Sequence, residues 1–326
     1  MKFRSLGKIP CSVLGLGTGK LASLGTGLSD TERRRVFDTA ADSGITLIDT
    51  ADSYAQGDCE RLLGKMMHGK RERFLVTTKA GFRFASLGGL ARLLKPFARH
   101  LIRRLRSGRA LVAGVRQQAM QMNVRSQDFS ALEAALAASL RRLHTDYVDL
   151  FLLHNPPSEV LADVRVHEAL AAVVRAGKAR LVGVSSPDPD VLAASLNMPL
   201  LHVVQTPIHP GVSNDVIGML AQFAARGVAV VGNQISFSGK LLAPPVDEPD
   251  AWAAGRMTLK KQADEYGWSV SRLLLQFALA QPSVTSILTG TTNAEHLRQN
   301  VADVLAGPEL NGEQITAIRT AFLNIK

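Results

Sequence analysis

Eight short runs of β-forming residues, at 13–18, 45–49, 74–79, 148–154, 180–185, 201–205, 228–233 and 284–289, each lead into a stretch with helical apolar spacing. Strands separated by helices run parallel, because the helix carries the chain back along the sheet before the next strand begins. Parallel strands are covered on both faces and read as nearly unbroken apolar runs. Gly44-Ile-Thr-Leu-Ile-Asp49 and Val148-Asp-Leu-Phe-Leu-Leu-His154 fit that pattern, and each ends in a polar group. Ser29 with Glu32 and Ser130 with Glu133 have capping-box spacing and predict helix starts, while Gly44 and Gly177 predict helix ends. Later helices are expected over about 159–176, 188–197, 213–226, 258–280 in two pieces, 293–305 and 311–323.

Eight strand and helix units either close into a (β/α)8 barrel or spread into an open doubly wound sheet. The open sheet binds its dinucleotide through Gly-x-Gly-x-x-Gly at the first turn. The nearest candidate, Gly15-Leu-Gly-Thr-Gly-Lys20, has Lys20 in the sixth place and lies well ahead of the first helix cap. A phosphate loop would need glycine where Leu14 stands. The stretch therefore reads as a glycine-rich turn at a barrel rim, and the expected fold is one (β/α)8 TIM barrel domain over 1–326.

Hydrophobic residues at 46% and charged residues at 20% give the balance of a globular protein, and no run of eighteen apolar residues predicts a transmembrane helix. Lys2, Arg4 and Lys8 precede apolar residues broken by Gly15, Gly17 and Gly19, which does not make a signal peptide. Two cysteines, Cys11 and Cys59, are too few for a disulfide framework and fit a cytoplasmic protein. No metal centre is expected, since His202 and His209 lack partners at ligand spacing.

The net charge of +10 has a single source. Residues 82–127 hold ten basic residues, from Arg83 to Arg125, and no acid, so the rest of the chain is formally balanced. This basic insertion, at about 83–127, would lie over the C-terminal rim of the barrel, where long loops shape the substrate pocket. Within it Leu90, Leu93, Leu94, Phe97, Leu101, Ile102 and Leu105 recur at helical spacing among arginines, predicting an amphipathic basic helix that packs as a lid. The same composition suits an anionic substrate, an acidic carrier protein or a membrane surface. Nucleic acid does not fit, because aromatic residues for base stacking are sparse there.

In such a barrel, function gathers where strands end. The second run ends at Asp49, shortly before Tyr54; the third ends at Lys79 and the fourth at His154. Each alone has an ordinary structural role, as a turn cap, a snorkelling amine or a satisfied imidazole. Four on one rim suggest chemistry.

The segment from Gly44 through Tyr54, followed by Gly57-Asp-Cys-Glu-Arg-Leu-Leu-Gly64, resembles the aldo-keto reductase superfamily. The resemblance continues through Thr77-Thr-Lys79-Ala-Gly, the segment from Leu140 to His154, Gly183-Val-Ser-Ser, Val204-Gln205 and the segment from Leu288 to Asn300. Only about 83–127 and 233–257 fall outside it, and the spacing is most similar to the aldose and lactol dehydrogenase-like branch. The resemblance implies an enzyme that moves a hydride between a nicotinamide cofactor and a small-molecule carbonyl or alcohol: an aldehyde, ketone or lactol. As hydride reaches a carbonyl carbon, negative charge grows on oxygen and a proton must arrive there, from Tyr54. A free phenol has a pKa near about 10, so Lys79 is expected to lower it and Asp49 to hold Lys79 charged. His154 would orient the carbonyl. In the oxidising direction Tyr54 becomes the base, so these residues fix no direction.

For the cofactor, Ser185 and Gln205 match positions that hold the nicotinamide carboxamide, with Ser186 where the family usually has asparagine. Thr18, closing the first run, is a further candidate for holding the cofactor. The segment from Thr289 to Asn300 matches the loop and helix start that grip the adenosine phosphate, naming Gly290, Thr291, His296, Arg298 and Asn300. Family members that prefer the phosphorylated cofactor often place arginine or lysine about here, and His296 and Arg298 favour NADP over NAD. Where the family commonly stacks an aromatic on nicotinamide, this chain has Asn233. Either Phe237 reaches in from the next loop, or the ring packs differently, or redox chemistry is lost and the barrel serves binding, regulation or a non-redox reaction.

Overall fold

The computed structural model describes residues 1–23, 26–83, 126–243, 252–281, 284–307 and 309–322; the predicted basic helix lies outside them. The chain opens with a hairpin, β1 (Phe3–Leu6) and β2 (Ile9–Ser12), turned at Gly7 with φ +62°. Then come β3 (Leu14–Gly17), β4 (Leu47–Asp49), β5 (Leu75–Ala80), a short antiparallel pair β6 (Phe82–Arg83) and β7 (Ser126–Gln127), and β8 (Val148–His154). The remaining strands are β9 (Ala179–Ser185), β10 (Val203–Pro207), β11 (Ala229–Asn233) and β12 (Val284–Thr289). Strands β3, β4, β5, β8, β9, β10, β11 and β12 follow one another round a closed barrel, all parallel, with β12 pairing back to β3. Each of the eight predicted runs holds one of them.

The helices are α1 (Asp30–Asp42), α2 (Asp58–Met66), α3 (Leu132–Leu143), α4 (Val164–Arg175), α5 (Pro189–Ser195), α6 (Asn214–Ala225), α7 (Ala253–Glu265), α8 (Val270–Leu279), α9 (Ala294–Leu305) and α10 (Gly312–Thr320). Ser29 and Glu32 form the predicted capping box at α1, and Gly44 and Gly177 take positive φ just past α1 and α4. Ser130 does not cap α3. Its hydroxyl and amide both donate to Asp128 Oδ1, at 2.6 and 2.9 Å, which holds Ser130 in a turn closed by Asp128 one residue short of the cap, and α3 starts after Ala131.

Side chains alternate between two cores. Leu47, Leu75, Leu150, Leu152, Val203, Ala229, Val231 and Leu288 fill the barrel interior, while Ile48, Val76, Phe151, Val204 and Val230 face outward beneath the helices. The hairpin closes the floor. Leu6 and Cys11 are fully buried in the interior cluster, and Arg4 donates to the carbonyls of Leu279 and Val284 at 3.0 and 2.5 Å. Both cysteines are free thiols, and among the described residues no helix is long and apolar enough to cross a membrane.

Candidate active site

Strand parity builds the site. Moving two residues at a time from interior positions, Leu47 leads to Asp49, Leu75 to Thr77 and Lys79, and Leu150 to Leu152 and His154. Likewise Val203 leads to Gln205, and Ala229 to Val231 and Asn233. Asp49, Lys79, His154, Gln205 and Asn233 therefore lie on the inward face at the strands' C-terminal ends, above the apolar floor. Barrel register places His154 beside Ser185, and Ser185 beside Gln205.

Tyr54 comes from the turn after β4, not from a strand. The next three residues all have left-handed backbone: Ala55 (φ 51°), Gln56 (φ 58°) and Gly57 (φ 80°). Only glycine fits the third position, because a Cβ on Gly57 would lie 2.6 Å from Arg142 Cδ. The strained turn carries the phenol back over Lys79, whose ammonium is 3.2 Å from Tyr54 Oη and 4.8 Å from the ring centroid.

Lys79 is 1% exposed, so its three protons need partners inside the protein. It donates to Asp49 Oδ2 at 2.9 Å, to the Thr50 carbonyl at 3.0 Å and to Tyr54 Oη, and pairs with Asp49 Oδ1 at 2.8 Å. Burial pushes the ammonium's pKa down, but Asp49 and Tyr54 more than reverse that, and Lys79 stays charged. The phenol departs from expectation. Burial pushes Tyr54 above its ordinary value, and the opposing pull of Lys79 does not overcome it. Tyr54 is thus held as a neutral acid beside a cation. The network runs further: Gln205 Nε2 donates to Asp49 Oδ1 at 2.8 Å, and Ser185 Oγ donates to Gln205 Oε1 at 2.8 Å. A hydrogen-bonded chain joins Ser185, Gln205, Asp49, Lys79 and Tyr54.

His154 stands edge-on to Tyr54, with centroids 6.0 Å apart, and edge-on to Phe82 at 5.0 Å. Burial, helped by the Lys79 charge, lowers its pKa to about 3, so the imidazole is neutral at physiological pH. It therefore offers one N–H and one bare nitrogen.

Thr18 is buried, and both its hydroxyl and its amide donate to the Asp49 carbonyl at 2.9 Å, pinning β3 to β4. Ser186 is buried with its hydroxyl accepting from the Asp188 amide at 3.1 Å. Asn233 Oδ1 is buried with no hydrogen-bond partner among the described residues. Phe237 packs against His209 at 4.9 Å and Trp252 at 4.7 Å, which commits it to that cluster. After β3 and β12 the rim is bare backbone at Gly290, where an added Cβ would meet nothing nearer than the Gly17 carbonyl at 4.0 Å, while one on Gly19 would lie 3.4 Å from the Tyr54 ring. The orphaned amide oxygen of Asn233 can accept a hydrogen bond from a carboxamide N–H. At the start of α9, Thr291 Oγ1 accepts from the Asn293 amide at 3.1 Å, and Asn300 ties back to Thr289 at 2.7 Å. His296 and Arg298 are exposed on α9, apart from the other residues, and Arg298 pairs with Glu295 at 2.7 Å.

Several residues escaped the sequence reading. Ser53 Oγ lies 3.3 Å from His154 Nδ1, a contact across the fold that nothing local signals. Glu60 is fully buried, accepting from Thr78 Oγ1 at 2.6 Å and pairing with Arg142 at 2.5 Å. That one was readable, since Glu60, Leu63 and Gly64 share one face of α2. Asp52 is buried beside it, and its Oδ1 has no hydrogen-bond partner among the described residues. Burial and then the Glu60 charge push its carboxyl up to about 7, against Arg142.

Comparison with known proteins agrees with this geometry. Pyridoxal 4-dehydrogenase of Microbacterium luteolum is 28% identical over 91% of this chain and 91% of its own length. D-threo-aldose 1-dehydrogenase of a Pseudomonas species is 28% identical over 88% of this chain and 87% of its own. The holo form of the aldo-keto reductase AKR11C1 from Bacillus halodurans superposes with a TM-score of 0.77 at 24% identity, covering 98% of this chain and 96% of that one. Residues 13–321 match the profile of the aldo/keto reductase family. With a closed parallel barrel, a hydrogen-bonded rim and a match along nearly its whole length, the chain belongs to the aldo/keto reductase family and is an oxidoreductase.

Proposed function

We propose that this enzyme, one barrel domain over 1–326, reduces a small aldehyde or ketone, or oxidises the matching alcohol or a lactol, at the rim formed by Asp49, Tyr54, Lys79 and His154. The observation that carries this reading is the link from Tyr54 Oη through Lys79 to Asp49, a neutral acid touching a buried and fully partnered cation. Aldo/keto reductases use nicotinamide cofactors, which supply the hydride when bound. Tyr54 gives its proton to the carbonyl oxygen as charge grows there, and Lys79 stabilises the phenolate left behind. Asp49 keeps Lys79 charged and in place. Neutral His154 donates one N–H to the same oxygen and so fixes the carbonyl's direction.

Ser185, Ser186, Gln205 and Asn233 would hold the nicotinamide carboxamide, with Thr18 setting the rim behind them. Gly290, Thr291, His296, Arg298 and Asn300 would hold the adenosine phosphate. NADP is the proposed cofactor over NAD, on His296 and the Arg298 guanidinium near the start of α9. The basic stretch 83–127 would favour an anionic substrate, an acidic carrier or a membrane surface, and co-sedimentation with anionic liposomes at low salt checks the last. A cytoplasmic setting belongs to the same reading, on the two free cysteines.

Titration of the purified protein with NADPH and, separately, NADH, followed by ligand fluorescence and thermal stabilisation, tests this. Saturable binding, with carbonyl turnover that Tyr54→Phe removes, is expected. Binding of neither nucleotide overturns it in favour of a barrel reused for binding or non-redox chemistry.

A further inference from the structure

The proposed reaction asks His154 for an N–H aimed at substrate oxygen, and a neutral imidazole has two places to keep its proton. If the proton sat on Nδ1, the other nitrogen would present a lone pair to a carbonyl oxygen that also offers only lone pairs. Something must choose between the tautomers. Among the described residues the group at Nδ1 is the Ser53 hydroxyl, at 3.3 Å.

The imidazole has little freedom to escape that contact. Tyr54 meets it edge-on at 82° and Phe82 edge-on at 79°, so its plane is braced from two sides. Ser53 is anchored in turn by the chain on both sides of it: the Asp52 amide donates to the Lys79 carbonyl at 3.1 Å, and the Tyr54 amide to the Ala51 carbonyl at 3.1 Å. Its hydroxyl and the Tyr54 phenol therefore come from one turn, one reaching His154 and the other Lys79. A serine hydroxyl can donate or accept. Facing a neutral imidazole, either choice satisfies the pair, but only donation leaves the proton on Nε2, the nitrogen not engaged by Ser53.

We propose that Ser53 is a positioning residue that donates its hydroxyl hydrogen to His154 Nδ1 and so fixes the tautomer with the proton on Nε2. This role rests on the proposed carbonyl chemistry, in which His154 Nε2–H steadies the substrate oxygen in both directions.

The test reads the tautomer directly. In protein labelled with 15N-histidine, the two nitrogens of a neutral imidazole resonate apart according to which carries hydrogen, and comparison with His154→Gln assigns the signals. Wild type should show a bare Nδ1 and a protonated Nε2. Ser53→Ala should give a mixture of tautomers and lower kcat roughly five- to tenfold, the worth of one neutral hydrogen bond. Its melting temperature and cofactor affinity should be unchanged, and Ser53→Thr should restore both readouts. In a His154→Gln background, Ser53→Ala should cost nothing more. A proton on Nδ1 in wild type overturns the inference, as does a Ser53→Ala protein with unaltered tautomer and kcat, or a loss that persists without His154. Because the spectrum needs neither nucleotide nor substrate, it separates failure of this inference from failure of the proposed reaction.

Discussion

Gln205 and Lys79 meet on one atom: the amide of one and the ammonium of the other both lie 2.8 Å from Asp49 Oδ1. The residue matched to the carboxamide is thereby wired to the residue that sets the charge beside Tyr54. Gln205→Leu removes a donor from Asp49 and an acceptor from Ser185, both buried. It should lower stability by about 1–3 kcal/mol, read from urea midpoints, and weaken nicotinamide binding in the same protein. Unchanged nucleotide affinity would detach Gln205 from the cofactor.

Lys79→Met goes further, since it leaves the Asp49 carboxylate buried without its cation. The expected loss is about 3–5 kcal/mol in denaturant unfolding. Without the cation, the Tyr54 phenol has only influences that raise its pKa, so alcohol oxidation, which needs phenolate, should fall more steeply than carbonyl reduction. Comparing the two directions at several pH values checks it.

Asp52 sets a pH dependence. Its carboxyl titrates near about 7 in the fold against 3.8 as the ordinary value. Below about pH 4 the folded and unfolded chains both keep the proton. Between there and about 7 the unfolded chain ionises more readily, so Asp52 makes the unfolding free energy fall as pH rises, by a few kcal/mol in order of magnitude. Asp52→Asn should remove that slope and be the more stable protein at pH 8. Parallel urea curves for the two proteins at pH 5, 6, 7 and 8 decide it.

Arg142→Ala would strip the guanidinium from Glu60, which is 0% exposed. A loss of about 3–5 kcal/mol is expected, because a buried carboxylate keeps only the Thr78 hydroxyl. Glu60→Gln with Arg142→Ala should recover part of it, as seen in thermal melts.

The barrel was legible because parallel strands buried on both faces write themselves as apolar runs, and because the polar residues closing those runs share the parity of the interior leucines. Asp49, Lys79 and His154 could be named from that alone. The sign of the Tyr54 shift could not, since it depends on how far burial outweighs Lys79, and sequence shows the charge without the burial. Ser53 was invisible for another reason: its partner is 101 residues away, and neither neighbourhood advertises the other. Ser130 misled because two residues upstream Asp128 competes for the same hydroxyl. The opening residues were read only for targeting signals, and their hairpin was missed because its apolar residues find their partners on distant strands.

That hairpin gives the molecule a direction in time. Its Arg4 is held by carbonyls at Leu279 and Val284, and β12, ending at Thr289, is the strand that pairs back to β3. During synthesis the hairpin must therefore wait for Leu279, Val284 and β12 before the floor is sealed and the ring is shut. A chain stalled before β12 would leave the ring open and its interior leucines exposed to water. It would be a client for chaperones, whereas the finished barrel would not.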